Sequence, residues 1–199
     1  MTGPGQATRQ RIVDAAIETL QREGFAGTSA RAVARTGGFN QALVFYHFGS
    51  MTELLLAALD ETAARRMDRY REALAGVADL PRLVELAGRI YQEDLDAGHM
   101  TVLAEVIAGA SATPGLGPEV VARIEPWVAL TAEALERVLR DSPLVSLVPV
   151  DDVAYAVVAL YLGLELLTHL QGDRGRAEAL FAAASGAAGV LGALTTTPR

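Results

Sequence analysis

The sequence contains no cysteine and no lysine. Without thiols there is no disulfide, no thiolate metal site and no cysteine nucleophile, a composition that suits a reducing cytoplasm, where the chain is expected to work. All 17 basic residues are arginine, against 24 acids, for a net charge of −7. Aromatic residues are scarce, at 6%. Long apolar runs are missing too. Ala179 to Leu194 is uncharged but only 16 residues long, and Val153 to Leu170 carries Glu165 and His169. Both fall short of the roughly 20 apolar residues that a span needs, so no membrane partner is expected. The opening residues, MTGPGQATRQ, hold no apolar stretch of the signal-peptide kind. No segment alternates with period two for long enough to read as a strand, and there is no internal repeat.

What is present points to helix. Of 199 residues, 51% are hydrophobic, with Ala and Leu leading, which predicts an all-α fold with a sizeable core. Charge is unevenly spread. Residues 1–50 hold five Arg (Arg9, Arg11, Arg22, Arg31, Arg35) against Asp14, Glu18 and Glu23, a balance of +2, while the remainder holds 12 Arg against 21 acids, or −9. A basic N-terminal module on an acidic body can still bind phosphate, because charges more than about 10 Å apart are largely screened at physiological salt.

Thr8 to Glu23 reads as a helix with the stripe Val13, Ala16, Ile17 and Leu20, stopped by Gly24. Two short helices are expected between Thr28 and Phe48: Thr28 or Ser29 caps the first, Gly37 and Gly38 break it, and Asn40 caps the second. A Gly-containing turn between two short helices is the helix-turn-helix layout. Ser50-Met51-Thr52-Glu53 then forms a capping box that opens a long helix to about Leu74. Further helices are expected at about 81–97, 100–110, 118–140, 151–171 and 174–192, with loops at Pro114-Gly115, Pro143 to Pro149 and Gly172-Asp173. Pro126 should kink or split the helix that holds it. The organisation predicted is a three-helix helix-turn-helix domain over residues 1–50, followed by a helical domain over 51–199.

Thr28 to Leu54, TSARAVARTGGFNQALVFYHFGSMTEL, resembles the TetR family of transcriptional regulators. The matching residues are Val33-Ala34, Gly38-Phe39, Phe45-Tyr46-His47-Phe48, Ser50, Glu53 and Leu54. The resemblance covers roughly residues 8–58; beyond them only helix number and length agree. It implies a DNA-binding repressor that holds a palindromic operator as a homodimer through its last two helices, with half-sites about 34–36 Å apart, and lets go when a small-molecule effector binds the C-terminal domain. No cofactor or metal is implied. The family often has Tyr at Phe45 and Lys at Met51, where both usually touch phosphate.

The chemistry of the motif can also be read residue by residue. A recognition helix keeps one face apolar and offers the other to base edges in the major groove. Over Asn40 to His47, Val44 and Phe48 are expected to face inward, leaving Gln41, Ala42, Leu43, Tyr46 and His47 toward DNA. Gln41 can bond adenine bidentately, and Ala42 or Leu43 can touch a thymine methyl. Phosphates would be held by Arg31, by Thr28 or Ser29, by Tyr46 or His47, and by Arg9 or Arg11. The bland alternative makes Phe45 to Phe48 a hinge cluster and Arg9, Arg11 and Arg35 an ordinary solvated face.

In the C-terminal part, polar residues set among apolar ones are the candidate effector contacts: Glu105, Trp127, Tyr155, Tyr161, Glu165 and His169. Glu165 and His169, spaced i, i+4, read equally as an ion pair. The small-residue run Ala182 to Gly189 allows close helix packing, within the chain or with a second copy. Glu93, Asp94, Asp96 and His99 are close in sequence but spread over different helix faces, and no catalytic motif is present, so an enzyme is not expected. A helical protein-interaction module without DNA binding is the alternative.

Overall fold

The computed structural model describes residues 4–96, 99–110, 112–140, 142 and 149–195. Among them are nine α-helices and no strand, as the all-α composition requires. They are α1 (Pro4–Gly27), α2 (Ala30–Gly37), α3 (Ala42–Phe48), α4 (Met51–Ala75), α5 (Leu80–Asp96), α6 (His99–Ala110), α7 (Leu116–Leu139), α8 (Val150–Gln171) and α9 (Gly175–Thr195). The chain forms two compact units, residues 1–65 with 98–123 and residues 66–97 with 124–199. This division differs from the break at residue 50, because α6 and the start of α7 pack with the N-terminal helices and α4 contributes to both units.

In the first unit the expected stripe on α1 is buried: Val13, Ala16 and Leu20 are within 1% of full burial, joined by Ile12, while Ile17 is half-buried. Of these, Ile12, Val13 and Ala16, with Ile17 against them, pack with Ala30 and Val33 of α2, Val44 and Phe48 of α3, and Leu54 and Ala58 of α4. α1 starts at Pro4, four residues before Thr8, since Pro at the first turn lacks only a donor that has no helical partner there. Gly24 (φ 70°, ψ 179°) interrupts the helix where a C-terminal stop was expected, and one further turn follows. The buried Thr19 hydroxyl bonds Ala15 O at 2.7 Å and Thr36 Oγ1 at 3.0 Å, joining α1 to α2.

α6 docks on the end of α1 in the same unit. The amide of Phe25 donates to Glu105 Oε2 at 2.6 Å, and the Phe25 ring lies over Gly109, where a Cβ would come within 2.1 Å of it.

In the second unit Ala132, Leu135 and Ala154 form a core patch with Leu80, Leu83, Val128 and Val153 beside them. α5 and α9 approach closely at Gly88, whose missing side chain leaves room for Phe181. Pro126 does not split α7: it forfeits one amide bond while the rest of the ladder continues. α8 is 22 residues with a mean hydropathy of 1.7 in its most apolar window, long and apolar enough to cross a membrane by length and composition, contrary to the shorter run read from sequence. Of that window only 17% is buried. Leu160, Leu167 and Leu170 of α8 and Val190 of α9 are more than half exposed. Of the Pro143 to Pro149 loop, residues 143–148 lie outside the described residues, as does the side chain of His99.

Candidate nucleic-acid interface and buried polar cluster

The helix-turn-helix is built by local caps. Ser29 is extended (φ −125°, ψ 162°) and its hydroxyl accepts from Ala32 N at 3.2 Å, starting α2. Gly38 ends α2 in the left-handed region (φ 65°), and its amide returns to Ala34 O. Gly37 must lack a side chain, because a Cβ there would lie 2.1 Å from the Phe39 ring that fills the turn. Asn40 Oδ1 then accepts from Ala42 N at 2.9 Å and starts α3. Ser50 Oγ accepts from Glu53 N at 3.1 Å, the expected cap of α4.

These caps fix which side of α3 meets solvent. Val44 is fully buried and Phe48 is 8% exposed, whereas Gln41 and Ala42 are exposed, Phe45 is 50% exposed and Tyr46 82%. Leu43 is half-buried and packs against the core, so it has less to offer a base than its place in the sequence suggested. His47 is half-buried, with the Tyr46 ring edge-on at 5.0 Å.

The cations differ in how far they are committed. Arg35 bonds both oxygens of Glu23, at 2.9 and 2.8 Å, and Arg22 shares the same carboxylate. Arg11 reaches Gly37 O at 3.3 Å. Arg9 lies 4.7 Å over the Phe48 ring. Arg31 is exposed and lines a shallow groove with Asn40 and Gln41. Thr28, half-buried, donates its hydroxyl proton to Gly24 O at 2.6 Å, leaving only its lone pairs, which repel phosphate; Ser29 keeps its proton.

Three of the six candidate effector residues come together in the second unit, around Arg66, which the sequence reading left out, and Asp94, which it named only within an acidic run spread over different helix faces. Arg66 of α4 reaches into α5, where Asp94 is fully buried, and the two form an ion pair. Tyr70 also donates to Asp94, and Tyr161 donates to its other oxygen at 2.8 Å. Arg66 lies 5.0 Å over the Trp127 ring and 5.8 Å from that of Tyr70. Glu165, one turn along α8 from Tyr161, is fully buried, and neither carboxylate oxygen has a hydrogen-bond partner among the described residues. Burial, helped by the negative charge of Asp94, outweighs the opposing pull of Arg66 and of the Tyr161 hydroxyl and pushes its pKa up to about 8. Burial and the neighbouring carboxylates likewise raise Tyr161, and burial with the bond to Asp94 raises Tyr70 to about 12. Beside this cluster, Tyr91 bonds Thr168 Oγ1 at 2.6 Å and its ring meets Tyr161 edge-on at 5.6 Å.

The other three candidates stand apart. Glu105 belongs to the first unit, where it accepts the Phe25 amide. Tyr155 (63% exposed) and His169 are exposed on α8, and no ion pair joins His169 to Glu165 among the described residues, because Glu165 is buried and His169 is not.

The family model for bacterial regulatory proteins of the tetR family matches residues 12–58, the segment just described. The HTH-type transcriptional regulator UidR of Escherichia coli K12 is 26% identical over 114 residues, 57% of each chain, so the match spans little more than half of that regulator's length. Among solved structures, a TetR-family regulator from Cytophaga hutchinsonii superposes with a TM-score of 0.78 over 100% of both chains at 15% identity, which shows the fold. The multidrug binding protein EbrR, complexed with imidazole, is 26% identical, with a TM-score of 0.64 over 96% of each chain.

Proposed function

Because residues 12–58 match the model of the tetR family of bacterial regulatory proteins, we propose that the chain is a regulator of that family, a ligand-responsive transcriptional repressor of the cytoplasm, binding a palindromic operator as a homodimer and released by a small-molecule effector. The observation that carries this reading is the division of α3 into a buried side, Val44 and Phe48, and an exposed one, Gln41, Ala42, Phe45 and Tyr46. A short helix so anchored can enter a major groove without losing its own core. Gln41 is the base-reading residue, and Ala42 offers a methyl to thymine. Arg31, the Ser29 hydroxyl, Arg9, Tyr46 and His47 serve the phosphates, with Phe45 and the capping residue Asn40 at the edge of the contact and Thr28 supporting the end of α1.

The dimer forms through α8 and α9, where Leu160, Leu167, Leu170 and Val190 present apolar surface that a second copy would cover. The effector binds at the cluster around Trp127, Tyr161 and Glu165, as the structural likeness to a ligand-binding protein such as EbrR supports. Release follows from linkage: the effector lowers operator affinity only by as much as it prefers the conformation that does not bind DNA.

The test is binding of the purified protein to DNA from upstream of its own gene and to scrambled DNA, at about 50 and 200 mM salt. Selective binding that weakens steeply with salt is expected. Gln41→Ala should cost about 1–3 kcal/mol and relax specificity at one base pair, while Arg31→Ala should weaken all sequences alike and lower the salt slope by about 1. No selective binding to any fragment in a genome-wide selection would overturn the reading.

A further inference from the structure

The interior cluster of the second unit holds two buried carboxylates, Asp94 and Glu165, and one buried guanidinium, Arg66. Asp94 takes up Arg66 together with the hydroxyl protons of Tyr70 and Tyr161. Among the described residues neither oxygen of Glu165 makes a hydrogen bond, at zero exposure, and only the Arg66 charge and the nearby Tyr161 hydroxyl favour its ionised form. A buried carboxylate without a partner is costly, so an arrangement that keeps one needs another reason for it. The surroundings are aromatic, and Arg66 shows that a planar cation already rests on the Trp127 face at 5.0 Å.

We propose that this cluster is the recognition site for an organic cation, an amine or a quaternary ammonium, whose charge is met by the Glu165 carboxylate and whose apolar groups lie on Trp127 and Tyr161. The proposal rests on the regulator reading above and names the chemical class of its effector. An anionic effector does not fit: the buried guanidinium of Arg66 is already paired with Asp94, and Glu165, neutral below about pH 8 and negative above it, offers no positive charge. A bare metal ion fits poorly, because the cluster supplies rings and one carboxylate not paired with a cation, where a hard cation needs about six oxygens. An organic cation matches both features.

The site also carries a proton signature. The groups that act on Glu165 are Arg66 from α4, Tyr91 and Asp94 from α5, and Tyr161 on its own helix α8; in this company Glu165 holds its proton up to about pH 8. An arriving cation displaces that proton to solvent, and the carboxylate so formed pairs with the cation. Below pH 8 each cation bound should therefore release close to one proton, and affinity should rise about tenfold per pH unit before levelling off.

The experiment uses the full chain and two cations, benzyltrimethylammonium and tetraphenylphosphonium, with 3-phenylpropionate and tetraphenylborate as their anionic counterparts. Binding is followed by emission of Trp127, the one tryptophan in the sequence, and by calorimetry in buffers of different ionisation heat. The expected result is that at least one cation perturbs Trp127 emission and binds at least tenfold more tightly at pH 8 than at pH 6, with proton release. Its anionic counterpart should not bind. Glu165→Gln should lose at least tenfold in affinity and abolish both the pH dependence and the proton release, with an unchanged circular dichroism spectrum. Preferential binding of the anions, cation binding without proton release, or no cation binding up to millimolar concentrations at pH 8.5 would each overturn the proposal. None of these readouts involves DNA: a protein that binds its operator and ignores cations sinks this inference alone, and one that binds cations and no DNA sinks the regulator reading alone.

Discussion

Glu165→Gln also tests the buried carboxylate through stability, with no ligand present. In the unfolded chain this group titrates near its ordinary value of 4.5, and in the folded protein near 8. Below pH 4.5 both states are protonated and the group makes stability neither rise nor fall. Between 4.5 and about 8 the unfolded chain gives up the proton and the folded one keeps it, so stability falls as pH rises; above 8 both are ionised and the loss is complete. At 1.36 kcal/mol per pH unit the whole window amounts to roughly 4–5 kcal/mol, an upper magnitude because a folded protein can relax around the new charge. Glutamine keeps the shape and does not titrate, although its buried amide, equally without partners, costs about 1–3 kcal/mol at every pH. The variant should therefore be no more stable than the parent near pH 5, and should gain on it by about 1 kcal/mol per pH unit until it is the more stable protein near pH 8. Urea unfolding at half-unit pH steps, at fixed salt and fixed protein concentration, measures this difference. A difference constant to within about 0.5 kcal/mol from pH 5 to 8 would refute the reasoning, since it would mean that Glu165 ionises in the folded state as freely as in the unfolded one.

Two further substitutions probe the first unit and the exposed helices. Gly109→Ala places a methyl within 2.4 Å of three Phe25 ring atoms; the overpacking should cost about 1–3 kcal/mol, partly offset by roughly 1 kcal/mol of helix propensity, and adding Phe25→Leu should restore the lost thermal stability. An unchanged melting temperature in the single variant would show that the ring is not held there. Leu170→Asp, at a position 71% exposed on α8, should leave the fold intact and shift the protein from dimer to monomer in sedimentation at micromolar concentration; a variant that stays dimeric would move the interface away from this face.

The N-terminal half was legible because its structure is decided locally. Ser29, Gly38, Asn40 and Ser50 act on amides or carbonyls within four residues of themselves, and the stripe on α1 repeats with the helical period, so a linear reading reaches them. What it misjudged there depends on neighbours remote in sequence. Leu43 looked free to face a base until Ile17 and Met51 were seen packed around the same core, and Arg35 looked like an available cation until Glu23, twelve residues earlier, claimed it. The break between compact units moved for a similar reason: the Glu105 carboxylate finds the Phe25 amide across 80 residues, a pairing with no trace in either local pattern.

Glu105 and Glu165 show where the chemistry of the second half was hidden. Each is an acid in an apolar stretch, and in sequence the two are equivalent candidates for a ligand contact. In the fold they part: Glu105 accepts a backbone amide at 2.6 Å and is accounted for by its structural role, while Glu165 is buried and its oxygens make no hydrogen bond among the described residues. Arg66 left no signal, because a charged residue on a mostly polar helix reads as solvated, and the long arginine stem allows its head to be carried inward; Asp94 was noticed only in the run from Glu93 to His99, whose members face different ways, so its burial beside Arg66 went unread. A single buried Arg–Asp pair supported by two tyrosine hydroxyls is self-sufficient. Adding a second carboxylate to it works against stability over the whole physiological pH range. That cost is the physical reason to look for the effector's positive charge at Glu165 rather than at the other polar residues of the chain.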